Sequence, residues 1–285
     1  MRPGQAPHWA RVTRILARRV MKLVLALVLP SAACVAHAGR NCEAALPLKP
    51  ATVEKALALA ERTLSALDRS GAQVVVLARA GQDLQKYGLS YSHLGFAYRE
   101  TAAQGGTVWR VLHKLNTCGS ASSAIYKQGL GEFFLDDLWR FEAAWVVPTP
   151  AVQARLITVL QSPTRALLHH APYSMVSYAW GQTYQQSNQW ALETMAQAMG
   201  AGDVQGLGGR LRAQDWLRST GYQPSTLNLG PLTRLGGRVT QANIAFDDHP
   251  TVKRFSNRIE TVTVDSVFDW MQRAQLAQSA VVSLR

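Results

Sequence analysis

The chain has 285 residues, 47% of them hydrophobic and 17% charged, with 30 Lys and Arg against 18 Asp and Glu for a formal net charge of +12. Those proportions exclude a disordered, collagen-like or multi-span membrane protein, and the length suits one core with a few attached elements. The charge would suggest a nucleic-acid partner, but Arg2, Arg11, Arg14, Arg18, Arg19 and Lys22 stand in the first 38 residues with no acid among them. Without that segment 24 basic residues face 18 acidic ones, and they are scattered without aromatic-interleaved basic runs, which argues against nucleic acid.

At the N-terminus, Arg18-Arg19 and Met21-Lys22 lead into the apolar run Leu23–Leu29, then Pro30 and small residues ending Ala36-His37-Ala38. A positive region, an apolar region and an A-x-A site in that order predict a signal peptide over residues 1–38. Met21 is a possible true start, since residues 21–38 make a complete signal. Residues 39–285 are then a single domain, periplasmic or secreted, with no transmembrane anchor after processing. Cys34 leaves with the signal, and Ser31 departs from the apolar residue that a lipid-anchoring motif would place there. Cys42 and Cys118 remain, and an oxidising compartment favours a disulfide between them over two separate buried thiols.

In chain order, Val53, Ala56, Leu57, Ala60, Leu64 and Leu67 recur at three- and four-residue spacing and predict an amphipathic helix over residues 50–70, ended by Gly71. Gln73–Ala78 reads as a buried strand. Tyr91–Tyr98 and Thr107–Leu115 read as a β-hairpin with a long tip containing Gly105-Gly106. A helix is expected over Leu130–Trp145, another over Ala151–Leu160, a strand at Tyr173–Tyr178 and a helix over Asn188–Met199. Five glycines between Gly200 and Gly209 mark a connection. A helix around Ala213–Ser219, strands at Val239–Phe246 and Ile259–Val264, and a last helix from Asp265 complete the expectation.

Two features carry candidate chemistry. A hairpin symmetric about residue 103 sets His93 opposite His113, so the two imidazoles share one sheet face at a Cβ separation of roughly 5 Å, close enough for one to orient the other as a base. A bulge would separate them, and two structural strand histidines are the alternative. Ser187, in Gln186-Ser187-Asn188-Gln189-Trp190, stands where a helix begins. There it suits an N-cap, or a nucleophile served by the dipole and the backbone donors of the helix end. Asp247-Asp248-His249-Pro250 reads as a turn rather than a metal site, and Asp136 and Asp137 diverge around a helix instead of forming a dyad. No cofactor and no metal are expected.

A strand with S-H-x-G, a second His on the next strand and a later helix opening with the nucleophile together resemble the circularly permuted branch of the NlpC-type papain-like amidohydrolases, which includes lecithin:retinol acyltransferase. Residues 78–96, Gly129–Trp139 and Asn243–Pro250 are similar to an uncharacterised family of predicted secreted proteobacterial proteins associated with that fold. The resemblance implies an α+β, permuted papain-like fold: an antiparallel sheet with helices packed on it. It also implies His93 as general base, His113 as its orienting partner and residue 187 as nucleophile. The superfamily has cysteine at that last position, and this chain has Ser187, which cannot be pre-ionised as a thiol can. The implied function is an exported hydrolase or acyltransferase acting on an amide or ester bond. The alternative is a catalytically inactive envelope binding module that uses the same cleft. The partner in either case is an amide- or ester-containing envelope substrate: a peptide, a peptidoglycan-linked peptide or a lipid.

Overall fold

The computed structural model describes residues 48–117, 119–136, 138–162, 168–201 and 206–285. The expected signal segment, Cys42, Cys118 and Asp137 lie outside them, and with them the expected disulfide. Among the described residues no helix is long and apolar enough to cross a membrane.

Six strands form one antiparallel sheet: β1 (Val74–Ala80), β2 (His93–Thr101), β3 (Thr107–Asn116), β4 (Ser123–Gly129), β5 (Arg140–Val146) and β8 (Val282–Leu284). Across the sheet they lie in the order β4-β3-β2-β1-β5-β8. The chain is therefore α+β, with helices on both faces of the sheet. On one face α1 (Pro50–Arg69) and the short α2 (Leu130–Phe134) pack Leu59, Leu67, Phe133 and Phe134 against Val75, Leu77, Val111 and Trp145. On the other, α3 (Pro150–Gln161), α4 (Ser187–Ala196) and α8 (Val264–Arg273) pack Leu156, Trp190, Met195 and Trp270 against Val74, Val76, Leu94 and Phe96. Side chains alternate across a strand, so both residue sets of β1 are apolar apart from Arg79, and all seven of its residues are buried. A smaller two-stranded sheet pairs β6 (Ser225–Asn228) with β7 (Arg258–Thr261), over a satellite core of Leu227, Leu229, Ile244, Phe246 and Ile259. The remaining helices are α5 (Gly206–Ser219), α6 (Pro231–Thr240) and α7 (Thr251–Phe255).

Several expectations are corrected. The helix expected over Leu130–Trp145 is only the five residues of α2. The rest of that stretch enters β5, because Phe141, Ala143 and Trp145 alternate with Glu142, Ala144 and Val146, and that period completes the free edge of β1. Tyr173–Tyr178 is not a strand but a looped segment, held by Tyr173 N–H to Ala121 O and Met175 N–H to Asn243 O. Val239–Phe246 is the end of α6 followed by turns. On α1 the buried stripe runs through Ala56, Leu59, Ala60, Thr63 and Leu67, while Leu57 and Leu64 face outward.

One buried polar network fastens α4 to its neighbours. Glu193 on α4 accepts from Arg210 Nε (2.8 Å), Gln185 Nε2 (2.6 Å) and Gln214 Nε2 (2.7 Å). Arg210 also donates to the carbonyls of Gly181, Gln182 and Tyr184. Lys114 of β3 donates to Gln185 Oε1 and His170 O, both at 2.8 Å, and burial pushes its amine down to about 6. Removing one member of a buried ion pair strands the other, so Arg210→Met is expected to cost about 3–5 kcal/mol in urea denaturation. Adding Glu193→Leu should cost less than a second independent loss, giving a non-zero coupling in a double-mutant cycle.

Candidate functional site

The two histidines meet, in a register two residues from the symmetric one. Phe96 pairs with Leu112 and Thr101 with Thr107, which continues to place His113 opposite Gly95 rather than His93. A shift of two keeps the face, so His93 and His113 are diagonal neighbours on the α2 side of the sheet. Gly95 makes this approach possible: a Cβ there would lie 2.8 Å from His113 Cβ and 2.9 Å from Leu112 O. His93 Nε2 and His113 Nδ1 are 2.8 Å apart, and His113 Nε2 is 2.7 Å from Gln128 Oε1 on β4. With the Gln128 carbonyl as terminal acceptor, His113 donates from Nε2 and accepts at Nδ1. His93 then donates from Nε2 and keeps the lone pair on Nδ1.

The surroundings hold both rings neutral. Phe133 of α2 covers the pair, with ring centroids 6.0 Å from His93 and 5.2 Å from His113. Arg79 stands opposite His93 in the β1–β2 register, is itself buried, and lies 4.6 Å over the Phe133 ring while donating to Phe133 O and Asp136. Burial first, then the Arg79 charge and His113, hold His93 well below the ordinary imidazole range. Burial and Arg79 push His113 down to about 4, against a smaller upward pull from Gln128 and Asp136.

Ser187 is the first residue of α4 and Gln186 is the cap, so the expected capping bond from the Ser187 side chain is not made. The Gln186 amide instead donates to Thr261 Oγ1 and Val262 O. Ser187 is buried and faces Tyr173, whose phenol is pushed up by burial against the lowering effect of hydrogen bonding to the Ser187 hydroxyl and backbone. Next to it, Asn188 Oδ1 accepts from Leu94 N–H (3.0 Å) and Asn188 Nδ2 donates to Ser92 O (3.4 Å), clamping α4 onto the two residues that flank His93. Leu94 and Phe96 point toward α4, where Phe96 meets Trp190 at 6.0 Å, and His93 points the other way, toward Phe133. The structure thus brings His93 and His113 together, and neither imidazole is hydrogen-bonded to Ser187.

Sequence reasoning missed Arg79, Gln128, Tyr173 and Asn188. Gln128 was hidden because β4 was not anticipated, although Tyr126 and Gln128 alternate with Lys127 as a strand does. Asp248 and His249 form a turn lock: Asp248 Oδ2 accepts from Tyr178 N–H (2.7 Å), its Oδ1 is 2.9 Å from His249 Nδ1, and His249 Nε2 is 3.1 Å from Glu260 O. Among the described residues no group of three His, Cys, Asp or Glu is placed to hold a metal. Two clefts, of about 340 Å³ beside Lys86 and β6 and about 520 Å³ between the end of α1 and α3, take no lining from His93, His113 or Ser187.

Residues 66–271 match the model of a family described as uncharacterized protein conserved in bacteria, DUF2145. The chain belongs to this family. The matched span holds every residue of the imidazole relay together with Ser187, Asn188 and the Glu193 network. No curated protein and no solved structure matches the chain.

Two outcomes are expected at this site. Gly95→Ala forces the His113 side chain and Leu112 backbone apart and should lower stability by about 1–3 kcal/mol, read by thermal and urea denaturation. Both rings bind a proton more weakly folded than unfolded. As pH falls from 6.5 toward about 4, the unfolded chain therefore takes up protons that the folded chain refuses, and stability is lost through that window. A His93→Gln, His113→Gln variant should show a shallower loss over the same range.

Proposed function

We propose that this member of the DUF2145 family is an exported envelope binding module on a permuted papain-like fold, which holds an amide- or ester-bearing ligand of the peptide, peptidoglycan-linked peptide or lipid class without turning it over. The fold part of this reading is supported by the order of parts: an S-H-x-G strand, a second strand carrying the partner histidine, and a later buried helix that opens with Ser187 and packs on that sheet. Export is supported by the signal pattern at residues 1–38.

The observation that carries the non-catalytic reading is the alternation along β2. Leu94 faces α4, whose first residue is Ser187, while His93 faces Phe133 on the opposite side. A serine hydroxyl must give up its proton during attack and needs a base within hydrogen-bond reach, roughly 3 Å. Ser187 lies beside Tyr173, whose phenol is pushed up by burial. The Ser187 hydroxyl and backbone N–H are directed at the Tyr173 oxygen, so the partner of the hydroxyl is a phenol rather than a base.

A hydrolase or acyltransferase using Ser187, His93 and His113 is the second reading. It is favoured by the relay, which ends in a lone pair on His93 Nδ1, and by the helix end at Ser187. A fluorophosphonate probe followed by peptide-resolved mass spectrometry separates the two. The binding module leaves Ser187 unlabelled, and a Ser187→Cys variant alkylates at that position no faster than a free cysteine. Labelling of Ser187 that disappears in His93→Ala would overturn the proposal in favour of the enzyme.

A further inference from the structure

Folding normally buries large apolar side chains, and among the described residues most of those exposed remain less than half open. Four do not: Leu232 (84%) and Leu235 (61%) on α6, and Val252 (83%) and Phe255 (71%) on α7. Each pair is three residues apart, so each helix shows both of its residues on one side. The two helices are joined directly, because Arg234 of α6 donates to Arg254 O and to Asn257 Oδ1. The inner side of α6 is Gly237, which rests against Ile244 of the satellite core. The apolar residues of α6 therefore point away from the protein. Gly236-Gly237 in the middle of a ten-residue helix are poor helix formers, so α6 gains little from its own propensity and much from covering its outer side.

The charge around these side chains says what covers them. Helices α6 and α7 contain Arg234, Arg238, Lys253 and Arg254 and no acid, and Arg258 comes just after α7. Lys253 is paired with Glu260 and Arg234 is spent on the α6–α7 junction. Arg238, Arg254 and Arg258 make no ion pair with a described residue, and Arg254 lies 5.7 Å over the Phe255 ring. An apolar knob in a cationic rim fits the boundary between headgroups and acyl chains of an anionic bilayer. A second copy of the chain fits poorly, since a two-fold contact would set these arginines against themselves.

We propose that α6 and α7 together form a docking surface for anionic membranes, with the four apolar side chains inserted and the arginines on lipid phosphates. This is independent of whether Ser187 turns over a substrate.

Hydrogen–deuterium exchange on the full chain tests it locally, so that the apolar run Leu23–Leu29 cannot mimic the result. With phosphatidylglycerol-containing vesicles, amides of residues 232–240 and 251–256 should slow by roughly tenfold. Pure phosphatidylcholine vesicles or high salt should weaken the effect, as should Arg238→Gln with Arg254→Gln and Arg258→Gln. A Leu232→Ser, Leu235→Ser, Phe255→Ser variant should lose the protection while melting at the same temperature as the parent. Three results would overturn the proposal: no slowing with phosphatidylglycerol, equal slowing with phosphatidylcholine, or slowing that survives in the serine variant. Slowing that grows with protein concentration in the absence of lipid would assign the surface to a second copy instead.

Discussion

At the centre of a sheet covered on both faces, Val74–Ala80 of β1 and His93–Tyr98 of β2 have a choice of two cores and no water. Along β2 that constraint divides consecutive residues: Leu94 and Phe96 complete the apolar layer under α4, and His93, Gly95 and Ala97 belong to the layer under α1 and α2. The position of the imidazole pair, the need for glycine at 95 and the separation of the histidines from Ser187 all stem from that division. The Asn188 clamp fixes it, since the amide of one α4 residue bonds the backbone on both sides of His93.

Burying polar groups in both layers is costly unless each finds a partner, and the chain meets this differently on the two sides. Under α4 the Glu193–Arg210 pair is surrounded by amides and carbonyls, and its bonds hold segment 181–185 and α5 to the core. Under α2 the histidines stay neutral, and the cation there, Arg79, is placed against Phe133 O, the Phe133 ring and Asp136. Burial holds the two rings below the ordinary imidazole range, and the same guanidinium adds to it.

Much of the hairpin was legible from residues alone. Two strand-length runs on either side of Gly105-Gly106 give β2 and β3, and even the two-residue error in register left His93 and His113 on one face because side-chain direction has period two. The face itself was not legible as a contact with α4, since nothing local in Ser92-His93-Leu94-Gly95 says which of two apolar layers the helix will cover. β5 was lost for a related reason: Arg140–Val146 alternates too weakly to outweigh its helix-forming alanines until the free edge of β1 is known. Tyr173 stands near Ser187 through a looped connection, which periodicity does not describe.

For His93 to serve Ser187, β2 would have to present its odd residues to α4. A slip of one residue does this, but it moves every side chain of the strand to the wrong core: Leu94 and Phe96 would leave Trp190, and His93, Gly95 and Ala97 would replace them. It would also break the Asn188 bonds and bring a Cβ where only Gly95 fits against His113. Burial of two large apolar side chains is worth roughly 3–6 kcal/mol, comparable with the whole stability of many domains. A small motion at the site therefore does not bring His93 to Ser187. A ligand that reaches Ser187 meets Tyr173 and the start of α4, and the relay of His93, His113 and Gln128 lies on the far side of the strand.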